Sequence, residues 1–289
     1  LYGATEKPAT EMLAGLDALL FDIQDIGIRY GTYLSTMVNA MDAAAEHGLL
    51  FVVLDRPNPL NGRAIEGAPV EEGFGSFVGA HPIPVRHGMT LGELARLIAA
   101  ERDWPEPLVI MMQGWQRGMW FDRTGLPWVQ VSPNLPTLDS VTVYGGSCLL
   151  EGTNCSEGRG TTRPFEYIGA PWIDPFALVD RMQAAACAGF AFRHAWFVPM
   201  FSKHAGATCG GLQIYVTDRE IGQPIAMGEI LLNTMRDLSG AHFEGRPSDD
   251  GRPFIDLLSG SDRLRSGESA PSDPAAFALR RAPFLLYSE

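Results

Sequence analysis

The stretch ALLFDIQDIGIRYGTYLSTMVNAMDAAAEHGLLFVVLDRPNPLNG, residues 18–62, decides the fold. Ala18–Asp22 is a short apolar run ending in an acid, and Leu49–Leu54 is a fully apolar run followed by Asp55. Between them Leu34, Met37, Val38, Met41, Ala44 and Ala45 recur at intervals of three and four, which is one face of a helix over about Tyr33–His47, and Gly48 supplies its stop. Strand, helix, strand over about 35 residues is a βαβ unit, so the spacing predicts a parallel sheet with right-handed crossovers. Ligands of such sheets bind beyond the carboxyl ends of the strands. The loops at those ends are DIQDIGIR (22–29) and DRPNPLNG (55–62), which place Asp22, Asp25, Arg29, Asp55, Arg56 and Asn58 on one rim.

The alternation extends in both directions. Thr10–Leu16 reads as a short helix. TLGE (90–93) matches a capping box opening a helix to about Arg102, and Leu108–Met112 reads as the next strand. Residues 113–171 carry little periodicity. After them Asp174 and Pro175 open a helix reaching Ala188, with Gly189 as its stop. Strands near Trp196–Pro199 and Gly211–Val216, a helix over Ile225–Leu238 and a segment at Phe254–Leu258 complete an α+β unit. The expected division is a parallel-sheet α/β domain, residues 1–170, and a smaller C-terminal α+β domain, residues 171–289.

Composition narrows the function. The 22 Lys and Arg against 34 Asp and Glu give a net charge of −12, which repels nucleic acid and anionic membranes, and no local basic patch offsets it. No apolar run approaches the roughly 20 residues of a membrane helix. Cys148, Cys155, Cys187 and Cys209 lack C-x-x-C spacing, so they read as buried thiols, with Cys148 and Cys155 available to pair in an oxidising compartment. Leu1 in place of an initiator Met reads as a processed or truncated start. The compartment is left open, periplasmic or extracellular ahead of cytoplasmic.

Phosphate-binding, dinucleotide, nucleophile-elbow and H-E-x-x-H motifs are absent, which removes the usual signs of nucleotide hydrolysis, NAD redox chemistry, lipase-type catalysis and zinc proteolysis. What remains suits a sugar: carboxylates for acid/base work, aromatic rings for pyranose faces, Asn and Arg for hydroxyl and acyl groups. The densest constellation is EGTNCSEGRGTTRPFE (151–166), where Glu151, Glu157 and Glu166 alternate with Arg159 and Arg163. It reads either as a ligand loop or as a solvated loop of mutual ion pairs. Asp22 and Asp25 are equally catalytic groups or loop caps. His87, before the capped helix, orients an acylated group or is a hydrogen-bonded loop residue. Trp115, Trp120, Phe121 and Trp128 stack on sugars or pack their loop onto the sheet. A metal reading rests on His81 and His87 with Asp22, Asp25 or Glu93, but their spacing fits no strong ligand template, so no metal and no cofactor are expected.

Five segments are familiar as a set: LLFDIQDIGIRYGTYLSTM (19–37), VVLDRPNPLNG (52–62), SFVGAHPIPVRHGMTLGELA (76–95), SPNLPTL (132–138) and EGTNCSEGRGTTRPFEYIGAPW (151–172). Together, in this order, they resemble the DUF1343 (YbbC-like) family, which includes the exo-β-N-acetylmuramidases called NamZ. The resemblance implies a Rossmann-like N-terminal domain, incomplete at its start, and a smaller second domain with the active site in the cleft between them. It implies release of N-acetylmuramic acid from non-reducing ends of peptidoglycan fragments, so that muramyl saccharides are the partners and Arg29, Arg56, Arg159, Arg163 and His87 can hold the lactyl carboxylate. Relatives carry an upstream segment with a Pro-Glu-His-Gly stretch, absent here, whose Glu is a leading general acid/base, and usually a Tyr where this chain has Gly31.

The carboxylates expected to be catalytic are Asp22, Glu151 and Glu157, with Tyr144 as a phenolic alternative. Substrate contacts are expected from Asp25, Arg29, Asp55, Arg56, Asn58, His87, Asn154, Arg159 and Arg163. Two other functions compete: a non-catalytic binder of muramyl sugars, and a metal-dependent hydrolase. Oligomeric state and stereochemical course are not legible.

Overall fold

The structure, a computed structural model, describes residues 5–289. In chain order the elements are α1 (Thr10–Leu13), β1 (Ala18–Phe21), α2 (Thr32–His47), β2 (Leu50–Leu54), α3 (Leu91–Glu101), β3 (Leu108–Ile110), α4 (Leu138–Ser147), β4 (Tyr167–Ala170), α5 (Pro175–Ala184), β5 (Phe190–Phe197), β6 (Cys209–Val216), α6 (Pro224–Ser239), α7 (Phe254–Ser259) and α8 (Pro274–Arg281). No helix among the described residues is long and apolar enough to cross a membrane.

Two compact units form. The first gathers the described residues up to 65, 75–128 and 273–289, and the second gathers 66–74 and 129–272. The division at 128/129 differs from the expected boundary near 170. The reason is pairing: β4, at Tyr167–Ala170, joins β6 in the second unit, and α4 packs on α6 there. The chain end, residues 273–289, returns to the first unit.

The first unit is an α/β layer on a parallel sheet of order β1-β2-β3, with Leu19 opposite Phe51 and Val53 opposite Val109. Alternation sorts the side chains. Phe21, Phe51 and Val53 face α2 and α3, where they meet Leu34, Met37, Met41, Leu94, Leu97 and Ile98, and Phe277 of α8 joins the same core. Each such side chain contributes about 1.5–3 kcal/mol when fully buried. Leu20, Leu50, Leu108 and Ile110, out of phase with those residues, are exposed. Gly48 ends α2 in the left-handed conformation at φ 65°, and Thr90 and Glu93 close the capping box of α3. Both were legible as sequence signals.

The second unit is built on an antiparallel sheet of order β4-β6-β5. The helix expected to reach Ala188 stops at Ala184, and Ala186 turns back at a φ of 51°. The chain must reverse there because Phe190 already pairs with Val216, so β5 begins six residues before the expected Trp196. Within the aperiodic 113–171 stretch, α4 was not anticipated. Its sequence LDSVTVYGGS mixes β-branched residues with two glycines, all poor helix formers. The helix is fixed instead by a Thr137–Ser140 capping box and by Gly146, which lies against Gly228 of α6 so closely that a Cβ would strike the Pro224 carbonyl.

Candidate active site

In the first unit the β1, β2 and β3 ends open onto a pocket of about 590 Å³. Asp22, Asp55, Arg56, Gln113, Trp115 and Arg123 supply its polar and aromatic lining, with Met112, Met119 and Leu126 as apolar wall. This is the position expected from the parallel sheet. Asp22 and Arg56 are about half exposed, and the guanidinium lies 2.7 Å from Asp22 Oδ1. Their charges remain open to water and to a polar ligand.

Asp55 is buried and saturated. Its Oδ1 accepts from the Gly92 and Arg56 amides at 2.9 and 3.1 Å, and its Oδ2 accepts from Thr90 Oγ1 at 2.7 Å and the Tyr287 hydroxyl at 2.6 Å. Burial raises its pKa above the usual carboxylate value, against the pull of those donors.

Asp25, Arg29, Asn58 and His87 are buried and are not among the residues lining the pocket. Asn58 Nδ2 donates to the Met89 carbonyl and its Oδ1 accepts from Leu60 N, which fixes the DRPNPLNG loop. Arg29 Nη1 donates to the Ile83 carbonyl, and burial lowers its pKa to about 10. His87 Nδ1 accepts from Met89 N at 3.2 Å, so a neutral ring carries its proton on Nε2, 3.6 Å from Asp25 Oδ2. Asp25 Oδ2 in turn accepts from Gly27 N. His81 takes a different partner, Glu101 at 2.7 Å, with Arg280 beside them, and Glu93 pairs with Arg117. The two histidines thus share no acid, and among the described residues no three His, Cys, Asp or Glu side chains gather as a metal cluster. Of the loop aromatics, Trp115 lines the pocket. Phe121 and Trp128 pack edge to face, and Arg86 sits over Trp120.

The second unit holds the other constellation. Glu157 is buried between two cations: Arg159 Nε lies 3.2 Å from Oε1 and Lys203 Nζ lies 2.8 Å from Oε2, the latter an ion pair rather than an aligned hydrogen bond. Lys203 also donates to the Leu150 and Cys155 carbonyls. Arg159 Nη2 reaches Glu151 Oε1 at 2.8 Å, and the partly exposed Glu151 meets the Cys148 thiol at 3.7 Å. Tyr144 is buried edge-on to Phe165, and burial holds its hydroxyl and the Cys148 thiol well above their usual pKa values, so both keep their protons. Arg159 stacks over Phe165. Asn154 is spent on the chain: its amide donates to the His242 carbonyl and accepts from Glu244 N. Arg163 pairs with Glu166, whose pKa burial raises. All four cysteines are free thiols.

Thus Glu151, Glu157, Arg159 and, through Cys148, Tyr144 form one cluster, while Asn154 and Arg163 turn to other partners. Asp22, Arg56 and Asp55 share the pocket, and Asp25 pairs with His87. Sequence reasoning missed Lys203 and Tyr287. A Lys-His pair in the connection between two strands, VPMFSKHAGAT (198–208), was the available signal for Lys203; nothing near the chain end marked Tyr287.

The α/β unit with a pocket at its strand ends, followed by a second unit with a Glu-Arg-Glu-Lys cluster, gives a chain of two parts, and each part matches a family model. Residues 1–139 match the family model described as exo-β-N-acetylmuramidase NamZ, N-terminal, and residues 142–287 match its C-terminal counterpart. The chain belongs to this NamZ, or DUF1343, family. It is similar to the peptidoglycan β-N-acetylmuramidase NamZ of Bacillus subtilis (strain 168), 51% identical over 245 residues, which are 84% of this chain and 59% of that protein. The chain therefore spans little more than half the length of this curated relative. A crystal structure of a DUF1343 family protein from Bacteroides fragilis NCTC 9343 aligns with a TM-score of 0.90 at 33% identity, over 99% of this chain and 79% of that one. A second from the same organism aligns at 0.76 and 30%, over 98% and 78%.

Proposed function

We propose that this protein is a glycoside hydrolase that releases N-acetylmuramic acid from the non-reducing ends of peptidoglycan fragments. The observation that carries the reading is the match of both halves, in order, to the two NamZ family models, together with the 51% identity to the B. subtilis enzyme. The chemistry of the residues supports it. Asp22 and Arg56 offer a carboxylate and a guanidinium to a sugar that itself bears hydroxyls and a lactyl carboxylate. Glu151 is the partly exposed carboxylate of the cluster in the second unit, paired with Arg159 at 2.8 Å. Glu157, held between the Arg159 guanidinium and the Lys203 ammonium, is the carboxylate placed to act as a base or charge stabiliser. Tyr144, with its raised pKa, keeps a proton and serves as the phenolic donor of the cluster.

Hydrolysis of a chromogenic β-N-acetylmuramide tests the reading. The expected result is turnover with free N-acetylmuramic acid as product. Calorimetric binding of N-acetylmuramic acid without turnover supports the second reading, a muramyl-sugar binder, which is favoured by one observation: Glu151 and Glu157 are both tied to cations already.

A further inference from the structure

The last residues of the chain form a strap across the strand ends of the first unit. Leu286 N donates to Glu93 Oε1 at 2.8 Å, Arg117 N donates to the Ser288 carbonyl at 2.9 Å, and Glu289 pairs with Arg63 at 2.7 Å. Upstream of the strap, Arg281 of α8 donates to the His87, Gly88 and Arg63 carbonyls. Between these ties Tyr287 enters the protein. Its hydroxyl donates to Asp55 Oδ2 at 2.6 Å and accepts from Met112 N at 3.1 Å, while its ring meets Trp115 edge to face at 5.0 Å. Asp55, Met112 and Trp115 all line the 590 Å³ pocket. One phenol thus joins the end of β2 to the segment after β3, and both belong to the wall of the same cavity.

We propose that Tyr287 is a positioning residue of this pocket: delivered by the chain's own C-terminal strap, it fixes the Asp55 carboxylate and the Met112–Trp115 wall in the arrangement that receives a muramyl sugar. The identity of the ligand rests on the function proposed above; the role of Tyr287 rests on the contacts alone. Asp55 itself is a hub rather than a substrate contact, because both its oxygens are already filled by Gly92, Arg56, Thr90 and Tyr287. The double role of the hydroxyl requires it to keep its proton. Burial, followed by the neighbouring Asp55 charge, raises the phenol pKa far above its ordinary value, and the proton stays on Tyr287. Phenylalanine at 287 leaves the ring on Trp115 but takes one donor from Asp55 and the acceptor from Met112 N.

The test uses the whole chain and the variant Tyr287→Phe. Amide hydrogen exchange at Met112 is expected to accelerate by about tenfold or more, the equivalent of one lost hydrogen bond. KM for a chromogenic β-N-acetylmuramide is expected to rise by about tenfold with kcat within about twofold, the split expected when ground-state and transition-state binding are lost together. Exchange and KM both at wild-type values overturn the proposal, as does a fall in kcat at constant KM. Should the phenylalanine variant fail to fold, 3-fluorotyrosine at 287 keeps the hydroxyl, and its fluorine resonance must move when N-acetylmuramic acid is added; an unmoved resonance in protein that binds the sugar overturns the proposal. A wild-type protein that neither binds nor hydrolyses the muramide defeats the functional reading instead, and exchange at Met112 then decides the role of Tyr287.

Discussion

Glu157 is the most deeply buried acid of the cluster in the second unit, and the proposed chemistry assigns it a central part. Only 2% of its side chain is exposed, and Arg159 and Lys203 lie against its two oxygens. Glu157→Gln is expected to cut turnover of a chromogenic N-acetylmuramide at least about a hundredfold, the lower end of acid/base contributions; unchanged turnover removes Glu157 from the catalytic set. Half of its environment was legible. Glu151, Glu157 and Arg159 lie within nine residues of one another, and local spacing brought them to notice. Lys203 comes from a distant turn, so no spacing connects it to Glu157. The same limit applies to Asp55, legible as an acid at a strand end, whose partner Tyr287 lies 232 residues away. His81 offers a pH test at this scale. Burial, opposed by the Glu101 pair, lowers its pKa, so the folded protein holds it neutral while the unfolded chain takes up a proton. Stability from this site is present above about pH 6.5 and declines as pH falls toward the folded value. His81→Gln, which keeps a donor for Glu101, is expected to flatten the fall of Tm between pH 7 and 5; parallel curves for variant and wild type contradict it.

At the scale of elements, the sequence is most readable where local and tertiary forces agree. α2 has the helical period and a left-handed glycine stop, and α3 has its capping box, and both form where they were expected. α4 and β5 show the opposite case. The β-branched and glycine-rich α4 is helical because α6 offers a surface only a bare backbone can approach, and β5 starts early because its register with β6 extends back to Phe190. Neither cause is local. Gly146→Ala is therefore expected to destabilise the protein by about 2 kcal/mol or more, despite alanine's better helix propensity, because the methyl group must displace the Pro224 carbonyl. Denaturant unfolding measures this, and a stabilised variant would show that the helices can part without cost.

At the scale of the molecule, the parallel-sheet unit was legible from one βαβ pattern, but the path of the chain between units was not. Residues 66–74 belong with the second unit and 273–289 with the first; the later crossing falls in the Ser-, Gly- and Pro-containing stretch SGESAPSDP (266–274), but that composition does not say which unit the chain rejoins. The return of the chain end has a measurable consequence. Residues 267–272 are almost entirely exposed, whereas the segment beyond them is tied by Arg281, Leu286, Tyr287 and Ser288. Limited proteolysis is expected to nick the exposed link and leave the C-terminal fragment bound under native mass spectrometry; its loss on nicking contradicts the strap.

The charge of −12 takes its place in the same picture. Several of its acids, Asp22, Asp55, Glu151 and Glu157, are engaged by arginine, lysine, tyrosine or backbone donors at the two polar sites rather than spread as a solvated coat. The most direct test of what those sites do is the product released from a chromogenic β-N-acetylmuramide and from peptidoglycan fragments with N-acetylmuramic acid at the non-reducing end. Chromophore and free N-acetylmuramic acid appearing together is the predicted result, and binding of the sugar with no release of either contradicts it.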